Sequence, residues 1–225
     1  MIEHTRDGDV HRLALRNGEN LFDPDFFALL NERLDEVEAE GAGNAALVLT
    51  GDGKYFSNGL NLPVIGSLGR DALVAFGLEL MRTMGRLVVF PLPTVAAING
   101  HAFAGGAILA AACDYRIMRE DRGWICVAEV DVGVPLDPAL ANLLKAKLPP
   151  GTARTSILEG RRFTGADALA AGWVDATAPE ADLLALATKQ AAGLASKGRS
   201  IFGSVKCALW GDVAKTLGYE KGGRS

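Results

Sequence analysis

The chain has 225 residues, 49% of them apolar, and a formal net charge of −4 from 23 Lys+Arg against 27 Asp+Glu. That length supports one domain with a substantial core, and the intermixed charges exclude both a disordered chain and the basic stripe of a nucleic-acid binder. Cys113, Cys126 and Cys207 are odd in number and widely spaced, which speaks against a disulfide framework or a zinc motif and leaves Cys113 and Cys126 as small core residues.

Two strands are expected at 2–5 and 10–15, joined by the turn Arg6–Asp9. Asp23-Pro24 then reads as an N-cap followed by Pro in the first helical position. Phe26, Leu30, Leu34 and Val37 mark the buried face of that helix, and Gly41 and Gly43 end it. Residues 45–50 are apolar throughout, as in a strand covered on both faces. A helix is predicted over 71–89 with Leu73, Phe76, Leu80, Met84 and Leu87 as its stripe, stopped by Pro91 and Pro93. Further strands follow at 94–98, 115–119, 124–127 and 173–176. Helices are expected at 106–112, 137–148, 151–159, 163–171, 180–196 and 200–217. Strand-helix alternation of this kind predicts an α/β fold: a core over 1–178 and a C-terminal helical region over 179–225 within one domain. No signal core is visible in Met1–Asp7, and Leu87–Cys113 is too interrupted by Pro and Gly for a membrane span. A cytoplasmic protein is expected.

Two glycine-containing turns follow predicted strands. One is Lys54-Tyr55-Phe56-Ser57-Asn58-Gly59-Leu60-Asn61-Leu62; the other is Ile98-Asn99-Gly100-His101-Ala102-Phe103-Ala104-Gly105-Gly106. Glycine permits positive φ and close backbone approach. Two such turns converging would aim peptide N–H groups at one oxygen and form an oxyanion hole. Taken singly, each turn is more simply a turn. Glu129 lies in the apolar stretch Trp124–Val134, which it shares with Asp131. Strand alternation puts it on the side of Ile125 and Val127, where burial would raise its pKa and make it a base near neutral pH; a solvent-facing Glu at a strand end is the alternative.

In combination, Phe56–Leu62, Asn99–Gly106, Cys113-Asp114-Tyr115-Arg116 and Glu129-Val130-Asp131-Val132-Gly133 resemble the enoyl-CoA hydratase/isomerase (crotonase) superfamily, over about Val10 to Val174. The resemblance implies a spiral of ββα repeats whose last helices pack on the body or on a neighbouring subunit, in a homotrimer or dimer of trimers. It implies an acyl-CoA thioester as substrate, no separate cofactor or metal, and no nucleic acid or membrane partner. It places the oxyanion donors at the backbone N–H groups of Leu60 and Gly105 and the catalytic carboxylate at Glu129. Ser57, Asn58, Gly59, Asn61 and Gly106 become substrate-binding candidates, Ser57, Asn58 and Asn61 through backbone groups, with ordinary turn-forming polar residues as the alternative reading of those three.

Hydratases of the superfamily carry a second glutamate where this chain has Ile108. The pattern therefore looks like the monofunctional Δ3-Δ2-enoyl-CoA isomerases of the plant peroxisomal kind, which move a 3-enoyl double bond to the 2-position with one Glu as proton shuttle. Hydration, thioester hydrolysis through Asp131 or Asp137, and acyl-CoA binding without catalysis are the rival readings. His101 reads as a packing residue, Asp137 as a helix N-cap and Asp114 as structural. Lys54, Arg70 and Lys206 are candidates for the CoA phosphates.

Overall fold

The computed structural model describes residues 1–41 and 43–220. It begins with β1 (Ile2–Asp7) and β2 (Val10–Leu15), an antiparallel hairpin turning through Gly8 at φ +56°. Helix α1 (Pro24–Glu40) starts where the Asp23 carboxylate accepts the Phe26 N–H at 2.9 Å, and it buries Phe26, Leu30, Leu34 and Val37. The chain then makes three passes of one design. Strand β3 (Ala46–Gly51) is followed by β4 (Tyr55–Ser57) and helices α2 (Leu62–Ser67) and α3 (Arg70–Val88). Strand β5 (Thr94–Ile98) is followed by β6 (His101–Phe103) and α4 (Gly105–Ala112). Strand β7 (Tyr115–Arg119) is followed by β8 (Ile125–Cys126) and the one-turn helix α5 (Glu129–Val132). Helices α6 (Pro138–Lys147), α7 (Pro150–Glu159) and α8 (Gly165–Ala170), strand β9 (Ala176–Ala178), and helices α9 (Glu180–Ala195) and α10 (Arg199–Thr216) follow.

In each pass the first strand joins one sheet and the second joins another. The large sheet has the order β1-β2-β3-β5-β7-β9, parallel from β2 onward; the small one, β4-β6-β8, is parallel throughout. This is the expected spiral of ββα repeats. Covering both faces of the large sheet explains why β3 is apolar on both sides from Ala46 to Leu49. Leu47 and Leu49 face the main core with α1, α3 and α4, whereas Ala46 and Val48 face Leu183, Ala187 and Ala191 of α9.

Several elements depart from the sequence expectations. Tyr55–Ser57 and His101–Phe103, read as parts of turns, are strands, and 62–67, not predicted as an element, is helical. The strand expected at 173–176 lies at Ala176–Ala178 instead. Trp173 is fully buried and its Nε1–H donates to Ser156 Oγ at 2.8 Å. Of 124–127 only Ile125–Cys126 is strand, and the 163–171 helix is confined to Gly165–Ala170, capped by Thr164. Leu73, expected in the buried stripe of α3, is 43% exposed because that end of the helix borders a cavity rather than the core. Residues 221–225 of the expected C-terminal region lie outside the described residues. No helix among the described residues is long and apolar enough to cross a membrane.

Candidate active site

The two glycine turns meet. Gly59, at φ +80°, lies so close to the second turn that a Cβ there would be 3.1 Å from Phe103 O and 3.2 Å from Gly105 N. A Cβ on Gly106 would fall 2.3 Å from Ser57 O, so only glycine lets α4 begin against the first turn. Between the turns stands Ala104 at φ +48°, ψ −120°, a left-handed conformation held by an Ala. Such a residue costs on the order of 1–3 kcal/mol and persists where its surroundings impose it. Here its N–H is bound by Cys126 O at 2.8 Å, and its carbonyl accepts the Ala107 and Ile108 N–H groups of α4. That turn swings the chain so that Gly105 opens the helix.

Leu60 N–H is left free by a related device. In the bridge between Phe22 and Leu60, Phe22 N–H donates to Gly59 O and Asn61 N–H donates to Phe22 O, both at 2.8 Å. The Leu60 N–H therefore points the other way, and neither it nor the Gly105 N–H donates to a group of the described residues. Two asparagines, Asn20 buried and Asn99 half-buried, fix the first turn from behind. Asn20 donates to Tyr55 O and Phe56 O at 3.2 and 3.1 Å, and Asn99 Oδ1 accepts the Gly51 N–H at 2.9 Å. The sequence reading attached no role to Ala104, Asn20 or Asn99. An Asn beside a glycine turn was the one available hint, and it marks Asn99 only.

Leu60, Gly105, Ile108 and Glu129 line one cavity of about 570 Å³, walled by α3, α6 and residues 216–218. Glu129 is the first residue of α5, not part of a strand: the ladder ends at Cys126, and the following turn brings the side chain inward. It is buried, 9% exposed, and its Oε2 has no hydrogen-bond partner among the described residues. Desolvation raises its pKa above the ordinary carboxylate value. Ile108 is fully buried in the same wall. A second cavity, about 310 Å³, adjoins the first through the shared residues Leu60, Glu129 and Val134, and contains Asn58 and Arg162.

The remaining candidates are dispersed. Ser57 is fully buried, donates to Asn20 O at 2.7 Å and accepts the Gly59 N–H, so its hydroxyl shapes the turn. Asn58 donates to Glu19 and Asn61 to Asp23. Asp137 lines the main cavity, but its Oδ1 accepts the Ala139 N–H at 2.8 Å as an N-cap should. Asp131 is outside that cavity, packed against Gly160. His101 stacks on Phe103 with centroids 5.1 Å apart, and burial, then Lys54, lower its pKa. Lys206 cannot serve a CoA phosphate: it is 4% exposed and bound to Asp114 Oδ2 at 2.8 Å, a carboxylate that also accepts the Thr94 N–H. Lys54 and Arg70 are exposed and line neither cavity. Arg162, to which the sequence points by no motif, lines the second cavity with Glu129 and is held over the Trp124 and Phe103 rings at 5.6 and 5.8 Å.

A free pair of N–H groups opposite a desolvated carboxylate, in an apolar cavity, can stabilise an enolate and move a proton. Comparison with known proteins agrees with that chemistry. The family model described as enoyl-CoA hydratase/isomerase matches residues 8–220. The Arabidopsis thaliana protein named enoyl-CoA delta isomerase 2, peroxisomal, is 32% identical over 224 residues, 95% of this chain and 93% of its own. Enoyl-CoA delta isomerase 3 of the same plant is 36% identical over 177 residues, 76% of this chain and 74% of its own. Among solved structures, a probable enoyl-CoA hydratase of Mycobacterium tuberculosis superposes with a TM-score of 0.88 at 26% identity, over 96% of this chain and 91% of that one. The spiral of ββα repeats is thus the crotonase fold, and the chain belongs to the enoyl-CoA hydratase/isomerase family of enzymes.

Proposed function

We propose that this member of the family is a Δ3-Δ2-enoyl-CoA isomerase. The observation that carries the reading is the composition of one cavity wall: a single buried carboxylate, Glu129, with apolar Ile108 beside it. Glu129 removes a proton from C2 of the 3-enoyl thioester. The electron pair delocalises over the dienolate, and its oxygen is held by the Leu60 and Gly105 N–H groups. The same carboxyl group then returns the proton to C4. Each backbone donor of such a hole contributes about 2.7–4 kcal/mol, and Gly105 opens α4, so the positive end of that helix adds to the field. Atoms balance without water, metal or redox partner, so the acyl-CoA needs no separate cofactor. Addition of water would require a second polar group to hold it, and Ile108 offers none.

Asp137 favours one alternative, because it is a second carboxylate on the cavity lining from which water could be activated for hydration or thioester hydrolysis. The reading also includes self-association as a homotrimer or dimer of trimers, supported by the exposed apolar row Ile201, Val205 and Leu209 on α10; light scattering on eluted protein measures it. A cytoplasmic site of action remains part of the proposal, tested by fractionation, since the peroxisomal compartment belongs to the plant relative's name. The deciding experiment supplies 3-enoyl-CoA thioesters of increasing chain length and follows the ultraviolet absorbance of the conjugated product, with hydration of 2-enoyl-CoA measured in parallel. Isomerisation should exceed hydration by orders of magnitude. Hydration at a comparable rate overturns the assignment.

A further inference from the structure

The first hairpin carries two of the chain's three histidines, and neither lines the catalytic cavity. In its register His4 faces Leu13 and His11 faces Arg6, which makes the two histidines diagonal neighbours on one face. Their rings stack with centroids 5.3 Å apart, and His4 Nε2 is 3.0 Å from His11 Nδ1. Helix α1 crosses this face with Glu36 and Glu40, four residues apart at its C-terminal end. Glu40 Oε2 is 3.9 Å from His11 Nδ1, and Glu36 Oε2 is 3.2 Å from His4 Nδ1. One potential ligand atom from each of His4, His11 and Glu40 lies within 4.8 Å of the other two.

We propose that His4, His11 and Glu40 form a binding site for a divalent first-row transition ion of the zinc type, tying the β1–β2 hairpin to the end of α1. Ligands held at 2.0–2.2 Å around a tetrahedral ion stand about 3.3–3.6 Å apart, and the observed 3.0 and 3.9 Å bracket that spacing. Two imidazoles and a carboxylate are a donor set such ions accept, with water in the fourth position. Glu36 supplies the outer contact: by accepting the His4 Nδ1–H it directs the Nε2 lone pair at the ion. His11 is fully buried and its Nε2 has no partner among the described residues, so a protonated ring there would be poorly solvated. Burial first, then Arg6, lowers the His11 pKa.

The local charge balance suits a cation. Two carboxylates and the negative end of the α1 dipole face the rings; the opposing charges are Arg6 and Arg33, the latter already paired with Glu36. Glu40 is half exposed and leaves an entry path from solvent. In the sequence these histidines fit no metal motif, because hairpin register and helix packing, rather than spacing along the chain, bring the ligands together.

The test uses the full-length chain without an affinity tag. Calorimetric titration with Zn²⁺ and visible absorbance with Co²⁺ should each saturate at one ion per chain, and Zn²⁺ should raise the melting temperature. His4→Ala and Glu40→Gln, both at solvent-reachable positions, should weaken binding more than tenfold and abolish the melting shift. Glu36→Gln should weaken binding about 10–100-fold through the outer contact alone. A native far-UV spectrum and a cooperative melt establish that each variant is folded; a variant that fails them is replaced by the milder His4→Gln. Absence of saturable binding to wild type, or wild-type affinity in both His4→Ala and Glu40→Gln, overturns the proposal. This outcome is independent of the isomerase reading, since none of the four residues borders the catalytic cavity.

Discussion

Replacing Glu129 with Gln removes a base and leaves the shape of the cavity unchanged. The side chain is 9% exposed and its Oε2 is unpartnered, so neither bulk water nor a neighbouring group is positioned to take over its proton transfer. Loss of a general base typically costs 10²–10⁴ in rate, or about 2.7–5.4 kcal/mol of barrier. The upper part of that range is expected, because the other carboxylate on the lining, Asp137, is exposed and engaged as an N-cap. Binding of an unreactive acyl-CoA analogue should change little, since the oxyanion donors belong to the backbone. Stability supplies an independent readout. The folded-state pKa of Glu129 is raised by desolvation, so its stabilising contribution is complete below the unfolded pKa of about 4.3 and is lost as pH rises through the folded value. Glu129→Gln should therefore melt above wild type at pH 7, with the difference closing as pH falls toward 4. The acid limb of the wild-type pH–rate profile should lie above the ordinary carboxylate range. Turnover near wild type in folded Glu129→Gln, followed by absorbance of the conjugated thioester, would refute the mechanism and direct attention to Asp137.

Other substitutions probe the scaffold. Leu60→Pro deletes an N–H that serves no internal hydrogen bond, so it should cost a hundredfold or more in turnover, whereas Leu60→Ala should retain most activity; equal losses would assign the role to the side chain. Gly106→Ala forces a Cβ against Ser57 O at 2.3 Å and should lower stability by about 1–3 kcal/mol, read as a fall of roughly 2–12 °C in Tm. An unchanged melt would show that the two turns do not touch as described. Asp137→Asn keeps a good N-cap residue and should leave isomerisation within a few fold, while a loss beyond tenfold would promote the hydration or hydrolysis reading.

Long elements were legible because their periodicity runs over several turns: the Asp23 cap, the buried face of α1 and the two apolar faces of β3 all follow from spacing and caps. Three-residue strands cannot display an alternation, and β4 and β6 are defined by pairing over long separations, Tyr55 with His101 and Phe103 with Cys126. The strand alternation extended from 124–127 to Glu129 failed for a related reason. Apolar residues continue past Cys126 because they line a cavity, and nothing local distinguishes that from a buried strand. Glycines announced where the backbone bends, but Ala104 holds a glycine-like conformation imposed entirely by its tertiary neighbours. The resemblance to the superfamily picked out Leu60, Gly105 and Glu129, which the structure brings to one cavity, whereas Ser57, Asn58 and Asn61 spend their side chains on internal bonds, as turn-forming polar residues do.

The buried ion pair between Lys206 and Asp114 has a consequence for how the acyl cavity opens. Helix α10 buries only Gly203, Lys206 and Ala214 along its length, and the chain leaving it contributes Leu217 and Gly218 to the cavity wall. Half-buried Cys207, Trp210 and Val213 pack on the main core, and charge fastens the helix further: Lys206 to Asp114 and Leu92 O in the interior, Arg199 to Glu38 at its start. Segments with few fully buried side chains exchange their amide hydrogens early, so α10 should open before the glycine turns and their oxyanion donors do. Transient release of the helix would widen the far wall for a long acyl tail while leaving the reacting end of the thioester rigidly held.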